Sequence, residues 1–585
     1  YWIAYRNLRL NNKKRYMASA GLSYQILDWL NVAGRVRIDN THSEYEGKLY
    51  ASSSNTLTDG SSQGHYTVNN GQYSQTYADV LVNINKRIQD FTIVANIGAS
   101  YSGVTSKELG YAGPIRETGI PNLFNVYDLD NAKKRATQVG WREATESIFA
   151  SAEVGWKSML YLTVTGRNDW ASQLTHSPQA SFFYPSVGLS AVITEMLKLP
   201  DWVDYLKVRG AFSSVGNPYP RFLTYPTYSY DANKQDWKSQ TNYPIGKLYP
   251  ERTDSWEVGL DATLFKDFKL SGSFYYANTY NQTFDPRLPV SSGYDKLYVQ
   301  TGYVRNYGFE AMLSYGHRWG DFGWDSSFTF SANKNEIVEL VKDYVHPETG
   351  KTYNVDKLEL KTDEGRGFGK AKFILKEGGT LGDLYTHADL KRDINGNVLI
   401  DDSGNVTAID NAGDIKLGSV LPKANLAWNN SFSYKGINAG FLLTARLGGI
   451  VYSATQAYLD LYGVSETSAA ARDAGGVWIN GRSRVNPQSF YEVVASQSGL
   501  PTYYTYSATN LRLQEAHIGY TVPRRWLGNV CDINVSLVGR NLWMIYCKAP
   551  FDPEAVATTN NYYQGIDYFM MPSTRNIGFN IKINF

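Results

Sequence analysis

The C-terminal end of the chain shows the pattern most plainly. Ile577, Phe579, Ile581, Ile583 and Phe585 alternate with Asn576, Gly578, Asn580, Lys582 and Asn584. A period of two, with one apolar and one polar face, predicts a strand set between two unlike environments. The same alternation recurs upstream. Phe91, Ile93, Ala95, Ile97 and Ala99 share a face, and Trp256, Val258, Leu260, Ala262 and Leu264 alternate with Glu257, Gly259, Asp261 and Thr263. Trp324, Phe328 and Phe330 oppose Asp325, Ser327, Thr329 and Ser331. Ile437, Ala439, Phe441 and Leu443 oppose Asn438, Gly440, Thr444 and Arg446, and Ile533, Val535 and Leu537 oppose Asp532, Asn534, Ser536 and Arg540. The runs are about 10–14 residues long, beyond the usual length of a soluble strand and suited to a tilted strand crossing a bilayer. They number about seventeen.

The connections alternate too. Tight links at 27–29, 89–90, 157–158, 266–268, 319–323 and 435–436 are each followed, one strand later, by a polar connection, long at 103–145, 216–251, 335–423 and 451–509. Short turns on one side and long loops on the other are the habit of outer-membrane barrels, the short turns being periplasmic. The expected fold is therefore all-β, a transmembrane antiparallel β-barrel. A short helical turn is expected within 195–204, and strand and loop elsewhere. By parity the last strand ends on the periplasmic side and the first starts outside. Single-chain bacterial barrels normally have an even strand number with both ends periplasmic. The expectation is thus that residues 1–585 form the C-terminal part of a longer barrel, with an odd number of strands upstream. The closing run with Phe579, Ile581, Ile583 and a final Phe585 resembles the signal by which the barrel assembly machinery recognises such proteins.

Composition agrees with a wetted barrel. Tyr occurs 45 times and Gly 51 times, aromatics make up 14% and charged residues 19%. Mean hydropathy is −0.38, and no run approaches the roughly 18 unbroken apolar residues of a membrane helix. A helical membrane protein is excluded; a barrel, which shows lipid only alternate residues, is not. The net charge of +2 and the absence of a basic run point away from nucleic acid. Cys531 and Cys547 lie near opposite ends of one expected strand, too far apart for a disulfide.

Candidate chemistry is sparse. The 7 His are scattered with no zinc spacing, so no metal site and no catalytic group are assigned. Gly365–Lys370 has the look of a phosphate loop but fails its spacing. Asp393, Asn395, Gly396 and Asn397, followed by Asp401 and Asp402, resemble part of a calcium loop without its full ligand set. A turn rich in Asn, Asp and Gly is the competing reading.

Loop aromatics say more. Tyr228, Tyr230 and Trp237 fall in one long loop, Trp478, Tyr491 and Tyr504 in a second, and Tyr562 in a third. Rings with hydroxyl or indole handles suit sugars or peptides; they also serve as interface anchors or pack their own loop. Trp29, Trp156, Trp170, Trp202 and Trp256 sit at expected strand ends and fit aromatic girdles. By parity Asn438, Arg446, Asp532, Asn534 and Arg540 face the lumen, where a plug or a cargo would meet them.

Several segments together resemble the SusC-like family of TonB-dependent outer-membrane transporters. They are YLKVRGAFSSVGNP (205–218), ERTDSWEVGLDATLFKDFKLSGSFYYANTYNQTFD (251–285), GYVRNYGFEAML (302–313), LGDLY (381–385), ARLGGIVYSAT (445–455), LRLQEAHIGYTVPRRWL (511–527), SLVGRNLW (536–543) and FDPE (551–554). Their order and spacing span nearly the whole chain. The resemblance implies a barrel of about 22 strands in the bacterial outer membrane, filled by an N-terminal plug and energised by the TonB complex. It implies a SusD-like lipoprotein as a lid, and an oligosaccharide or peptide as cargo, with no cofactor and no covalent chemistry. Plug and TonB-box segments have no counterpart in these residues, so the family's energy-coupling positions cannot be placed. The loops 335–423 and 451–508 are expected to dock the lid and line the cargo cavity. A passive porin and a soluble glycan-binding β protein are the rival readings.

Overall fold

A computed structural model describes residues 5–584 apart from 224–227, 232–235, 239–241, 244–247, 285–295, 298, 346–349, 351, 361–366, 529 and 558–563. Its frame is a 17-stranded sheet. The strands are β1 (Arg9–Leu27), β2 (Leu30–Tyr50), β3 (Gly64–Ile88), β4 (Phe91–Pro114), β5 (Arg135–Trp156), β6 (Leu160–Ala171), β7 (Ser181–Val192), β8 (Val203–Asn217) and β9 (Glu251–Leu264). They continue with β10 (Phe268–Phe284), β11 (Val299–Trp319), β12 (Phe322–Glu339), β13 (Ala424–Tyr434), β14 (Ile437–Leu447), β15 (Asn510–Val522), β16 (Asp532–Cys547) and β17 (Asn576–Asn584).

The chain divides into two units: Tyr1–Leu189 with Ser213–Arg252 and Arg287–Gln300, and Ser190–Phe212 with Thr253–Pro286 and Thr301–Phe585. In the first unit β1 to β6 pair antiparallel, each with its sequence neighbour. In the second, β11 to β17 do the same.

Short and long connections alternate along the sheet except around β7, where 193–202 is no shorter than 172–180 before it. Two of the tightest are hairpin turns with positive φ at Lys157 and Ser158, 51° and 58°, and at Lys435 and Gly436, 46° and 89°. Turns of that hand match the right-handed twist of the strands they join. The connection between β7 and β8 holds a helical turn at Ile193–Met196, which meets the range expected, 195–204, only at Glu195 and Met196.

Two expectations are corrected. The strands are not all 10–14 residues long: β3 has 25 and β4 has 24, so the connection expected at 103–145 shrinks to 115–134. At about 3.3 Å per residue such strands outrun a bilayer's hydrocarbon core. Their outer halves carry polar residues on both faces, which a hydrogen-bonded ladder tolerates in water. Nor is the rest only strand and loop. Ala454–Leu461, Glu466–Asp473 and Pro487–Val494 are helices, capped by Ser453, Ser465 and Asn486, whose side chains accept backbone N–H groups of the first turn.

Candidate functional site

The register sorts side chains into an apolar and a polar face. Between β16 and β17, Ile533 faces Ile583, Val535 faces Ile581 and Leu537 faces Phe579, while Asp532 faces Asn584, Asn534 faces Lys582 and Arg540 faces Asn576. Like meets like because both strands alternate with period two and the pairing does not slip. The apolar face stays open: Phe579 is 77% exposed, and Ile577, Leu537 and Ile518 are exposed with it. So much apolar surface in water would drive aggregation; against lipid it is at rest. No helix among the described residues is long and apolar enough to cross a membrane; the strands do the crossing.

Aromatic rings gather near the short turns. In the second unit Trp202 stacks on Phe265 with centroids 5.5 Å apart, Phe268 lies 4.7 Å from Tyr315, and Trp319 stacks on Phe322 at 5.9 Å. In the first, Lys86 lies over Trp29 at 4.6 Å and Lys157 over Trp156 at 5.3 Å. Rings with cations beside them suit the level of lipid headgroups.

The opposite face is lined with polar groups in rows that run from strand to strand. In the first unit one row runs Arg35, Asp79, Ser100, Ser147, Asp169 across β2 to β6. Arg35 donates to Asp79 at 3.0 Å, and Arg167 reaches Asp169 at 2.6 Å and Ser147 at 2.7 Å. In the second unit a row runs Glu310, Ser331, Asn425, Arg446, Asn510 across β11 to β15. This row lines a cavity of about 730 Å³ with Arg209 and Glu554. Of the five positions expected on this face, Arg446 donates to the Val420 carbonyl at 2.7 Å, Asn534 to Thr521 at 2.9 Å and Arg540 to Glu515 at 2.9 Å. Asn438 stands opposite Gly519, and Asp532 opposite Asn584, 3.9 Å from Arg524.

The two longest connections of the second unit are not loose loops. Residues 340–423 and 448–509 share one core with the 548–575 segment. Phe373, Leu384, Tyr452, Phe490, Leu500 and Ile566 are among its buried members. A five-stranded sheet in the first connection and the three helices of the second supply the apolar faces. Asp460 is buried in this core, with no cation paired to it among the described residues. Its carboxylate accepts from Thr467 at 2.7 Å, Gln456 at 3.0 Å, Tyr504 at 3.0 Å and Ser465. Neutral donors on both oxygens make burial of the charge tolerable. Burial, then the Asp460 charge and its hydrogen bond, push the Tyr504 hydroxyl far up.

The expected substrate aromatics therefore separate. Tyr504 is 2% exposed and holds the loop core together, so it offers no ring to a cargo. Tyr491 is half-buried against Phe490 at 5.3 Å. Trp478 is exposed, with Arg484 over its ring at 4.4 Å. In the first unit, Tyr230 and Trp237 face each other across a hairpin with centroids 5.3 Å apart, and both are exposed, as is Tyr228. Tyr562 and Phe585 lie outside the described residues. The calcium-like stretch is a pair of turns. Asp393 accepts the N–H groups of Asn395 and Asn397 at 2.8 Å, and Asp401 those of Ser403 and Asn405 at 2.9 Å. No group of three or more potential ligands occurs among the described residues.

One cluster was not foreseen. Arg512 donates to Asp552 at 2.6 Å and to Asn541 at 2.8 Å, with Glu554 at 3.4 Å. These residues come from LRLQE, GRNLW and FDPE, three of the segments that carry the resemblance. The signal available beforehand was parity: Arg512 sits between Leu511 and Leu513 and so turns to the polar face.

An apolar belt, a polar inner face and alternating short and long connections define a membrane-spanning barrel wall. The chain belongs to the family described as "TonB dependent receptor-like, beta-barrel", whose model matches residues 2–542, and it resides in the outer membrane. It is 24% identical over 524 residues to TonB-dependent receptor P3 of Formosa agariphila, covering 83% of this chain and 50% of that protein. It is 24% identical over 433 residues to TonB-dependent receptor SusC of Bacteroides thetaiotaomicron, covering 68% of this chain and 40% of SusC. The chain thus spans about half the length of the curated relatives it matches. Among solved structures it is similar in fold to the RagAB peptide transporter, with a TM-score of 0.75, 17% identity, and coverage of 99% of this chain and 62% of that one. The 17 strands agree with the expected count, and the expected resemblance to SusC-like transporters agrees with the similarity to SusC and to the RagAB transporter.

Proposed function

We propose that this chain is the wall and outer loop module of a TonB-driven importer of bulky nutrients, oligosaccharide first and peptide second. The observation that carries the reading is the shared core of residues 340–423, 448–509 and 548–575. A passive pore needs no folded module above its wall, whereas an importer needs a firm surface for cargo and for a lid. A SusD-like lipoprotein is the lid this surface suits, and TonB the energy source. The protein performs no covalent step on its cargo.

Every residue of β1 and of β17 is exposed. Open strand edges in lipid leave backbone groups unsatisfied. Further strands of the same protein, with a plug across the lumen, would cover them. The polar rows headed by Arg35 and Arg446 are the surface such a plug would meet.

The test is uptake of labelled oligosaccharide by cells carrying the full protein, with and without tonB and with a protonophore. Uptake that depends on both supports the reading. Uptake indifferent to both would mean a passive porin.

A further inference from the structure

The loop module leaves one aromatic face uncovered. It is assembled from three segments: Phe368, Tyr458 on the helix Ala454–Leu461, and Tyr568 with Phe569 ahead of β17. The Tyr568 ring lies 4.3 Å from Phe368, 5.3 Å from Phe569 and 6.3 Å from Tyr458, centroid to centroid; Phe569 lies 5.4 Å from Tyr458. Tyr568 is 42% and Phe569 57% exposed.

The backbone marks the same spot. Phe569 has φ of 48°, a left-handed conformation that bulky L-residues avoid. Its N–H donates to Thr455 Oγ1 at 2.6 Å, which holds the turn. The ring is not buried in return, so packing does not account for the strain. The strain marks the position; the uncovered rings beside it carry the argument.

Among the described residues, the charged neighbours of these rings in sequence are already partnered. Asp567 is buried and accepts from Ser453. Asp460 is turned into its cage of neutral donors. Lys370, two residues beyond Phe368, is paired with Asp410 at 2.8 Å. What remains is ring faces and tyrosine hydroxyls. A peptide's carboxylate meets no cation among these residues, and its amides compete for the same few tyrosine hydroxyls while offering the rings no apolar C–H face of their own. A sugar ring brings an apolar C–H face and hydroxyls, and both are matched.

We infer that Phe368, Tyr458, Tyr568 and Phe569 form a cargo subsite that stacks on the rings of a neutral oligosaccharide. The inference rests on the import reading above. The probes are neutral gluco-, xylo- and manno-oligosaccharides, titrated calorimetrically against the full-length transporter in detergent, with a tryptic digest of casein as the peptide arm. At least one oligosaccharide should bind, and Tyr568→Ala and Phe569→Ala should each weaken it by about tenfold. Tyr568→Phe, which keeps the ring, should cost much less. Phe569→Gly removes the ring at a φ that glycine adopts freely, so its loss of binding is not a loss of fold; heat-shifted gel mobility checks the barrel. Equal binding by all variants overturns the subsite and leaves the import reading standing. Binding of casein peptides but of no oligosaccharide overturns the cargo class and the subsite with it. Unchanged oligosaccharide affinity with lost co-purification of a lipoprotein would make the face a protein-docking surface instead.

Discussion

Arg512 on β15 and Asp552 in the connection after β16 form an ion pair of 2.6 Å, their side chains 6% and 10% exposed. Asn541, which accepts from Arg512, also donates to the Thr574 carbonyl at 3.2 Å. The pair thus fixes the path of the chain from the wall to the last strand, and it does so beside the loop core that includes Ile566. A buried pair is expensive to break from one side, because the remaining charge has nowhere to go. Arg512→Ala is expected to destabilise the 549–575 segment by about 3–5 kcal/mol, read as new protease cleavage there in folded, membrane-inserted protein. Arg512→Lys should not rescue it, since a lysine cannot serve Asp552 and Asn541 with a rigid fork. Cleavage no faster than in the unsubstituted protein would show that the pair holds nothing.

The same pair sets a pH dependence. Burial pushes the Asp552 carboxyl up, but the Arg512 hydrogen bond, the Glu554 N–H, Ser573 and the Arg512 charge outweigh it, and the pKa falls below its ordinary 3.8. A carboxylate with a depressed folded pKa stabilises above its unfolded value and loses that contribution as pH falls through the folded one. Protection of 549–575 should hold at neutral pH and fade only below 3.8. In Arg512→Met this acid step should vanish; an identical acid profile in both proteins would assign the step to another group.

The loop core offers a separate test. Phe373 and Leu384 are fully buried in it, and neither belongs to a wall strand. Truncating either to Ala should cost about 2–5 kcal/mol by lost burial and the cavity left behind. The module should loosen, seen as faster amide exchange at 371–386 and 487–494, while the barrel keeps its heat-shifted mobility. Association with the proposed lid lipoprotein should weaken in parallel. Normal association with a loosened module would remove the module from the docking surface.

The strands were legible where one face must meet lipid and the other water. Ile533 to Leu537 and Ile577 to Ile583 show period two because every second position is chosen by the bilayer. Above the bilayer that selection ends. Gln72, Tyr73, Ser74, Gln75 and Thr76 continue β3 with no apolar face, so the strand length was hidden although its hydrogen bonds run on. The helices of 448–509 were hidden for another reason. Asn486 followed by Pro487 is a helix start, but an eight-residue helix shows too few turns to reveal a period. Tyr504 and Tyr228 look alike in sequence; only the partner segments around Asp460 decide that one ring is buried and the other open.

Phe579 and Asn580 are neighbours on β17 that point to opposite faces, opposite Leu537 and Ser536 of β16. Both are exposed, so packing within the described chain does not distinguish them; only the surroundings do. If the apolar face meets lipid, Phe579→Arg places a charge in hydrocarbon at a cost of about 2–4 kcal/mol near the midplane. Asn580→Arg places the same charge against water and the polar row that includes Asn534 and Lys582, where the cost is chiefly like-charge repulsion and small in high dielectric. The expected result is a sharp fall in folded, outer-membrane protein for Phe579→Arg and near-normal levels for Asn580→Arg, read by cell fractionation and heat-shifted mobility. Equal tolerance of both charges would mean that neither face touches lipid, and the wall would have to be reassigned to a sheet bathed in water on both sides.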